Sequence, residues 1–173
     1  PTLNFLNSRS PSRISNGALD INFTDGDDND AALATFAMAS GKYYFEIQLR
    51  AGSSSVLSSL VGIAPDSYLK LKQNTGISAW SGKDTDSGVG IDGSGAKYVD
   101  GNSSTYGSSF TTNDIVGVAV DADAKKVAFS KNGQFSDGNG NYNQGANVAS
   151  GGQVAIDGTG PYFLNVADTS SSR

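Results

Sequence analysis

DIVGVAVDADAKKVAFSKNG, residues 114–133, carries the best evidence for the fold. Apolar residues occupy alternate positions in both of its halves: Val116, Val118 and Val120, then Val127 and Phe129. This is the two-residue period of a strand with one buried face. A polar turn separates the halves, and the closing Asn132-Gly133 dipeptide is typical of a tight turn with positive φ angles. The stretch therefore predicts a β-hairpin that faces a core.

Length and composition place this hairpin in one domain. The chain has 173 residues, of which 37% are hydrophobic and 22 are Gly. A chain of this size buries about two-thirds of its unfolded surface. It has no Cys, so disulfides and thiolate metal sites are excluded and the core alone must hold the fold.

The charge pattern argues against a nucleic-acid partner, and the lack of a long apolar run argues against a membrane span. The net charge is −5, the pI is about 4.5, and Lys125-Lys126 is the only adjacent basic pair. Nucleic-acid binding usually requires a basic stripe that displaces counterions from phosphates. We expect no membrane span, because no run of about 18 apolar residues occurs. We also expect no secretory leader, because the N-terminus lacks a charged-then-apolar segment.

Strand-like patterns recur along the whole chain. In the cleanest, residues 42–50, Tyr43, Phe45, Ile47 and Leu49 share one face. The other predicted strands, besides the hairpin, are 19–23, the Ala-rich and ambiguous 31–39, 57–63, 76–80, 96–100, 153–156 and 162–166. With turns roughly every 8–12 residues and little helix signal, the pattern predicts an all-β fold, an antiparallel two-sheet β-sandwich. We expect residues 1–12 to be an N-terminal segment with a docking strand, 13–167 the sandwich, and 168–173 a tail or linker.

Five short stretches follow one another in the order of a known family. They are SGKYYFEI at 40–47, VGIA at 61–64, GAKYVDG at 95–101, FTTNDIVGV at 110–118 and VAFSKNG at 127–133. Each resembles a motif of the SPRY domain, a concanavalin-like β-sandwich of jelly-roll type, and the resemblance covers roughly residues 13–166 in the order of the family. The Ser/Thr/Gly-rich loops most resemble the SPRY modules of phage and other virion structural proteins.

Two positions depart from the family pattern. Asn113 and Lys125 stand where the family usually has Gly. Asn tolerates a left-handed φ, whereas Lys adopts it at an energetic cost. Either the turn at Lys125 is strained or it has another geometry.

The resemblance implies binding through loops at one end of the sandwich. The candidate loops are 81–95, 102–109 and 134–152. The candidate ligand-binding residues are Trp80, Asp84, Asp86, Tyr98, Tyr106 and Tyr142. Aromatic side chains beside Gly/Ser/Asp loops suit glycan or peptide recognition because they combine stiff area with a polar handle. For Tyr98 core packing is the favoured alternative, for Trp80 the two interpretations are balanced, and Tyr106 is expected to be exposed.

Catalytic chemistry has little support in this sequence. There is no His, and Glu46 is the only glutamate. Without His or Cys, nucleophilic triads of the usual kind are excluded, and no phosphate-cradling loop occurs. We expect a protein that is not an enzyme and needs no cofactor. An acid pair in a cleft, as in glycosidases, is the alternative.

An acidic loop is the nearest approach to a metal site. Asp25, Asp27 and Asn29 have the alternate oxygen spacing of calcium loops. The sixth position lacks Gly, and Phe36 stands where a bidentate Glu belongs. A solvated turn is the favoured interpretation, so no metal is expected.

Three functions follow. The first is a non-catalytic binding module on a virion surface, in a tail fibre or as capsid decoration, that recognises a glycan or protein through end loops. The second is a structural or assembly protein of a particle, docked through residues 3–6. The third is a carbohydrate-active enzyme. The expected partners are virion or surface proteins and host glycans, with a homo-oligomer as an open alternative, and the expected location is the virion or extracellular surface.

Overall fold

The structure is a computed structural model that describes residues 2–8, 11–23, 31–50, 59–65, 81–83, 88–145, 150–156 and 158–168. Within these ranges the strands are β1 Leu3–Ser8, β2 Ile14–Ser15, β3 Asp20–Ile21, β4 Ala31–Ala34, β5 Lys42–Gln48, β6 Ser59–Pro65, β7 Val89–Asp92, β8 Ala96–Val99, β9 Asn102–Thr105, β10 Ile115–Asp121, β11 Lys126–Lys131, β12 Gln134–Ser136, β13 Tyr142–Gln144, β14 Val154–Ala155 and β15 Tyr162–Asp168. Short 3-10 turns lie at Pro11–Arg13 and Ser150–Gly152. Among the same residues no helix has the length and hydropathy to cross a membrane.

The strands form two main antiparallel sheets. One has the order β1-β4-β15-β6-β7-β8-β9, and the other has the order β13-β12-β11-β10-β5 with β14 also paired to β11. β2 and β3 form a separate two-stranded ribbon. The predicted antiparallel two-sheet β-sandwich is confirmed.

The opening hairpin is present as predicted. β10 and β11 pair without interruption from Val116 opposite Lys131 to Asp121 opposite Lys126. Asn132 and Gly133 have φ angles of 51° and 81°, the positive values that the tight turn requires. β5 runs along the other side of β10 and continues the sheet.

The core lies between the two sheets. Fully buried side chains come from both of them, for example Val118 and Phe129 from one sheet and Ile63 and Val89 from the other. Along β5, exposed residues alternate with half-buried ones, so one face of this strand contacts the core and the other faces solvent. The alternation read from residues 42–50 is therefore confirmed.

One predicted loop contains a strand. β7 lies within residues 81–95, and its Val89 and Ile91 are buried between β6 and β8. Strand β7 requires a glycine at Gly90, because a Cβ there would lie 2.7 Å from the Ser81 carbonyl oxygen. A four-residue strand between Gly, Ser and Asp has too short an apolar run to be recognised from sequence.

Other boundaries also differ from the predictions. Residues 102–109 contain the edge strand β9, and residues 134–152 contain β12 and β13 rather than one long loop. The strand predicted at 19–23 is reduced to β3, because a turn with positive φ at Asn16, Gly17 and Ala18 precedes it and leaves Leu19 exposed. The strand predicted at 31–39 ends at Ala34, and an isolated bridge joins Met38 to Tyr162.

The two family departures both have left-handed backbones. Asn113 has a φ of 74° and Lys125 a φ of 50°. Lys125 therefore adopts the strained left-handed conformation, and the turn does not have another geometry.

The first and last described strands, β1 and β15, belong to the seven-stranded sheet. β1 pairs with β4 at one edge of the sheet, and Asp168 is a buried residue of β15. The predicted strand 76–80, the acidic loop 24–30 and residues 169–173 lie outside the described residues.

Candidate functional site

Three of the predicted loop regions meet at Tyr106. The backbone amides of Tyr106 and Gly107 donate to the Gly95 carbonyl over 3.2 and 3.0 Å. The Tyr106 carbonyl in turn accepts the Gly140 amide over 3.3 Å. Residues 93–95, 106–110 and 137–141 are therefore neighbours, and together they are called the end-loop surface below.

Tyr106 itself is fully buried, so the prediction that it is exposed is wrong. Its hydroxyl donates to the Gly152 carbonyl over 2.6 Å and accepts the Phe129 amide over 2.9 Å, and its exposed fraction is 0%. Its ring meets that of Phe129 edge to face at 5.8 Å. Burial raises the pKa of Tyr106 to about 12 although its hydrogen bonds act in the opposite direction. The small polar neighbours of Tyr106 suggested that its ring would be exposed. The structure shows that those neighbours face solvent while the ring packs in the core.

Tyr142 holds the third segment against the second. Its half-buried ring packs on Phe110 with a centroid distance of 5.5 Å. It also covers Gly107, where a Cβ would lie 2.3 Å from the Tyr142 Cζ. The Tyr142 hydroxyl is buried and has no hydrogen-bond partner among the described residues. Burial first, and then the charges of Tyr106 and Asp92, raise the pKa of Tyr142.

Tyr98 is a packing residue of strand β8. Its hydroxyl donates to Asp92 over 3.0 Å, and its ring packs on Leu60 and its buried neighbours. The other oxygen of Asp92 accepts the amides of Ser94 and Ala96 over 2.9 and 3.0 Å. Burial and then the Asp92 charge raise the pKa of Tyr98 to about 12. These contacts agree with the packing interpretation favoured from sequence.

Lys131 attaches the end-loop surface to the hairpin, and Lys97 of β8 contacts the same surface. The Lys131 ammonium donates to the Ser109 carbonyl over 2.8 Å, lies 3.0 Å from the Asp114 carboxylate, and sits 5.7 Å from the centre of the Phe110 ring. The Lys97 ammonium lies 5.7 Å from the centre of the Tyr106 ring. The loops therefore rest on the hairpin through specific polar contacts as well as packing.

The turn at residues 137–141 is held by its own carboxylate. Asp137 accepts the amides of Asn139 and Asn141 over 2.7 and 3.2 Å and the Asn141 side-chain amide over 3.0 Å. The Asn141 side chain contributes most to lowering the pKa of Asp137. What this surface presents to solvent is a set of small polar side chains: Ser94, Ser108, Ser109, Asn139 and Asn141.

Glu46, the sole glutamate, lies away from this surface. It is on the exposed face of β5, where it accepts the Tyr44 hydroxyl over 3.0 Å. Tyr44 also approaches Phe135, with ring centres 6.3 Å apart. The contacts of Glu46 are therefore those of a sheet-surface residue.

Several candidates stay predictions. Trp80, Asp84 and Asp86 lie outside the described residues, as do Asp25, Asp27 and Asn29 of the acidic loop. Among the residues that are described, no three acidic side chains converge in a way that would hold a metal ion.

Sequence reasoning missed the residues that build the end-loop surface. Asp92 and Asp137 each precede a Gly/Ser or Gly/Asn turn, and this arrangement is the signal of an Asx turn. Nothing in the sequence marks Gly107 or Ser136, because the roles of both residues depend on partners distant in the chain. The Ser136 hydroxyl, for example, donates to the Tyr106 carbonyl.

The fold and the five ordered motifs agree with the comparisons. The SPRY domain family model matches residues 42–142, more than half of the chain, so the chain belongs to the SPRY domain family. No curated protein shows a significant match.

Solved structures share the fold. The SPRY domain of human HERC1 superimposes with a TM-score of 0.55 at 19% identity, covering 84% of this chain and 78% of that one. A second human SPRY domain gives a TM-score of 0.54 at 19% identity, with coverage of 82% and 80%. The stonustoxin structure gives a TM-score of 0.59 at 15% identity, covering 95% of this chain and 25% of its own.

Proposed function

We propose that this chain is a non-catalytic protein-binding module that engages a partner through the end-loop surface. SPRY domains are in general protein-interaction modules. The observation that carries the proposal is the convergence of three separate segments on the buried Tyr106, which presents their small polar side chains side by side. Binding residues commonly lie on loops that a rigid scaffold positions.

The chemistry of this surface suits a protein backbone. Its exposed hydroxyl and amide groups, on Ser108, Ser109, Asn139 and Asn141, both donate and accept hydrogen bonds. The turn that carries the asparagines is already ordered by Asp137, so less conformational entropy is lost on binding. A partner segment that offers backbone amides and carbonyls meets these groups directly.

A glycan partner has less support at the same place. Sugar recognition would use an exposed ring as a stacking platform. Tyr106 is buried, and the rings of Tyr98 and Tyr142 are occupied by packing against their own chain. We therefore favour a protein partner over a glycan.

Selection from a random peptide library tests the proposal. Peptides enriched on the wild-type protein should bind Ser108→Lys and Asn139→Lys variants at least about tenfold more weakly, because the new side chains obstruct the surface. Ala124→Lys is the matched control, since Ala124 is exposed in the turn at the other end of the β10–β11 hairpin. Peptides that bind all variants equally, or that enrich on none, would argue against the proposal, provided that each variant keeps the wild-type unfolding curve.

We also propose a virion or other extracellular surface as the setting, as tail-fibre or capsid decoration. The support is compositional: 17% charged residues, no thiols, and loops in the style of virion SPRY modules. Detection of the chain by mass spectrometry in purified particles, with its stoichiometry, tests this setting. Its presence only in cell lysate would contradict it and would leave the binding proposal standing.

A further inference from the structure

The strand β9 is the last strand of the seven-stranded sheet, and all four of its residues are exposed. It pairs with β8 in unbroken register, from Ala96 opposite Thr105 to Val99 opposite Asn102. No strand in the described part of the chain pairs with its other side. One side of β9 is therefore an open sheet edge of regular geometry.

The turn between β8 and β9 fixes the direction of the backbone groups at the start of β9. Asp100 and Gly101 have φ angles of 50° and 77°, and positive values at both central residues are those of a type I′ hairpin turn. Such a turn is closed by a hydrogen bond from the amide of the residue that follows it. The Asn102 amide therefore faces β8.

The backbone groups that point away from β8 belong to Ser103 and Thr105. Along an antiparallel pair, residues that bond to the neighbouring strand alternate with residues that do not. The Tyr106 amide donates to the Gly95 carbonyl over 3.2 Å, which fits the alternation that starts at Asn102. Ser103 and Thr105 therefore carry their N–H and C=O groups on the open side of the edge.

The other sheet edges have features that hinder the addition of a strand. Bulges and charged side chains are the usual means by which proteins protect such edges. The pairing of β1 with β4 and of β13 with β12 is irregular, and the Leu6 amide of β1 is bonded to the Asn4 side chain over 3.0 Å. β5 exposes the charged side chains of Lys42 and Glu46. β9 contains no charged residue, no proline and no bulge.

The chemistry of this edge selects an extended peptide segment. Ser103 and Thr105 together offer two donors and two acceptors, about 7 Å apart along the strand, and the backbone of another strand has the same spacing. Their small side chains leave room for an incoming backbone. A second copy of the chain is disfavoured as the source of the segment, because each copy carries a net charge of −5.

The same edge leads into the end-loop surface. β9 ends at Thr105, directly before Tyr106, whose carbonyl accepts the Gly140 amide over 3.3 Å. A Cβ at Gly140 would lie 3.7 Å from the Thr105 Cγ2, so the turn at residues 137–141 lies against the end of the strand. A segment that pairs with β9 therefore continues onto the end-loop surface.

We propose that the protein partner binds by strand addition: an extended segment of the partner pairs with β9 through the backbone groups of Ser103 and Thr105. This inference rests on the proposed protein-binding function and specifies the conformation of the bound segment. Backbone hydrogen bonds along β9 contribute affinity with little dependence on sequence. The side chains of the end-loop surface then supply the selectivity.

N-methylation of a library-selected peptide, one residue at a time, tests this conformation on the wild-type protein. In an added strand every second amide donates to β9, whereas the intervening amides point to solvent. N-methylation should weaken binding by about two- to tenfold or more at alternate residues, because each of these residues loses a hydrogen bond. The intervening residues of the same peptide are the control and should tolerate the methyl group.

A pair of substitutions at Ser103 tests the location. Ser103→Pro removes the outward amide, and proline is tolerated on an edge strand where the N–H faces solvent. The affinity of Ser103→Pro should be about two- to tenfold lower than that of Ser103→Ala, which removes the same side chain but keeps the amide. If Ser103→Pro loses the wild-type unfolding curve, the N-methylation scan decides alone.

The outcomes separate this inference from the proposed function. Peptides that bind Ser108→Lys weakly but show no alternation on N-methylation would overturn strand addition and leave the proposed function standing. Alternation with equal affinities for Ser103→Pro and Ser103→Ala would mean that the segment adds to another edge, which also overturns the inference. A library that enriches no peptide would overturn both.

Discussion

Asn132 and Asp114 close the end of the β10–β11 hairpin: the Asn132 side-chain amide donates to Asp114 Oδ1 over 2.7 Å. The Asn132 side-chain oxygen accepts the Ile115 amide over 2.9 Å. The other Asp114 oxygen accepts the Thr111 amide over 2.7 Å and faces Lys131 at 3.0 Å. Because Lys131 also binds the end-loop surface, this carboxylate connects the scaffold to the loops.

Replacement of this carboxylate should make the protein less stable and less sensitive to acid. Burial raises the pKa of Asp114, but the hydrogen bonds from Asn132, Thr111 and Lys131 outweigh it and lower the pKa. We expect Asp114→Asn to lower the free energy of unfolding by about 1–2 kcal/mol at neutral pH, toward the low end because solvent reaches one side of the pair. Urea unfolding measures this difference.

The pH dependence of that difference follows from the sign of the shift. A lowered folded-state pKa contributes stability that is complete above the unfolded value of about 4 and is lost as the pH falls below it. The gap between wild type and Asp114→Asn should therefore shrink in acid. Asp121→Asn, at the exposed end of the same hairpin, is the control and should have a smaller effect. A constant gap from neutral pH to strong acid would contradict the assignment.

The left-handed backbone at Lys125 should favour glycine. A side chain at positive φ costs roughly 1–2 kcal/mol, whereas glycine adds about 0.5–1 kcal/mol of unfolded-state entropy. Lys125→Gly should therefore be neutral or stabilising by up to about 1 kcal/mol, as measured by urea unfolding. Lys125→Ala keeps the Cβ and removes the charge, so it should bring no gain. A clear loss of stability in the glycine variant would show that the turn is not left-handed in solution.

The scaffold was predictable because its signals are local. The alternation of residues 42–50 and the turn at Asn132-Gly133 each lie within a few residues, and both are present in the structure. β7 escaped prediction because its burial depends on the flanking strands β6 and β8. The close approach of Ser81 also leaves room only for a glycine at Gly90. Strand identity there is set by tertiary contacts and not by propensity.

The site was harder to predict than the fold. The sequence identified the loop regions that meet, but it placed Tyr106 on the wrong side of the surface. A tyrosine between small polar residues has the same local pattern whether its ring points outward or inward. Only the distant Gly152 carbonyl and Phe129 amide, which satisfy its hydroxyl, decide between the two.

Loss of the Tyr106 hydroxyl should destabilise the domain more than loss of an exposed one. Tyr106→Phe leaves the buried Phe129 amide and Gly152 carbonyl without this partner, which should lower the free energy of unfolding by roughly 2–3 kcal/mol. Tyr43→Phe is the control, since the Tyr43 hydroxyl donates to the Ser40 carbonyl over 2.6 Å in an exposed position. Its cost should stay below about 1 kcal/mol. Equal costs in urea unfolding would refute the role of Tyr106.

Alkaline titration should separate tyrosines with a raised pKa from the exposed ones. Burial raises the pKa of both Tyr98 and Tyr106 from 10.0 to about 12. Because the folded-state pKa is the higher one, the stability they contribute is complete below pH 10.0 and is lost as the pH rises toward about 12. Ultraviolet phenolate absorbance should therefore show a late step, and that step should shrink in Tyr106→Phe. A single step near the ordinary tyrosine pKa would contradict the raised pKa of both residues.

The packing of the Tyr142 ring on Gly107 gives the sharpest test of the end-loop surface. A Cβ at Gly107 would lie 2.3 Å from the Tyr142 Cζ, so Gly107→Ala must displace the ring or the backbone. Gly145→Ala is the matched control, because a Cβ there meets nothing within 4 Å. We expect Gly107→Ala to lower the free energy of unfolding by about 1–3 kcal/mol and to weaken binding of library-selected peptides, whereas Gly145→Ala should change neither. If Gly107→Ala lost stability but kept full peptide affinity, the surface that binds would lie elsewhere on the sandwich.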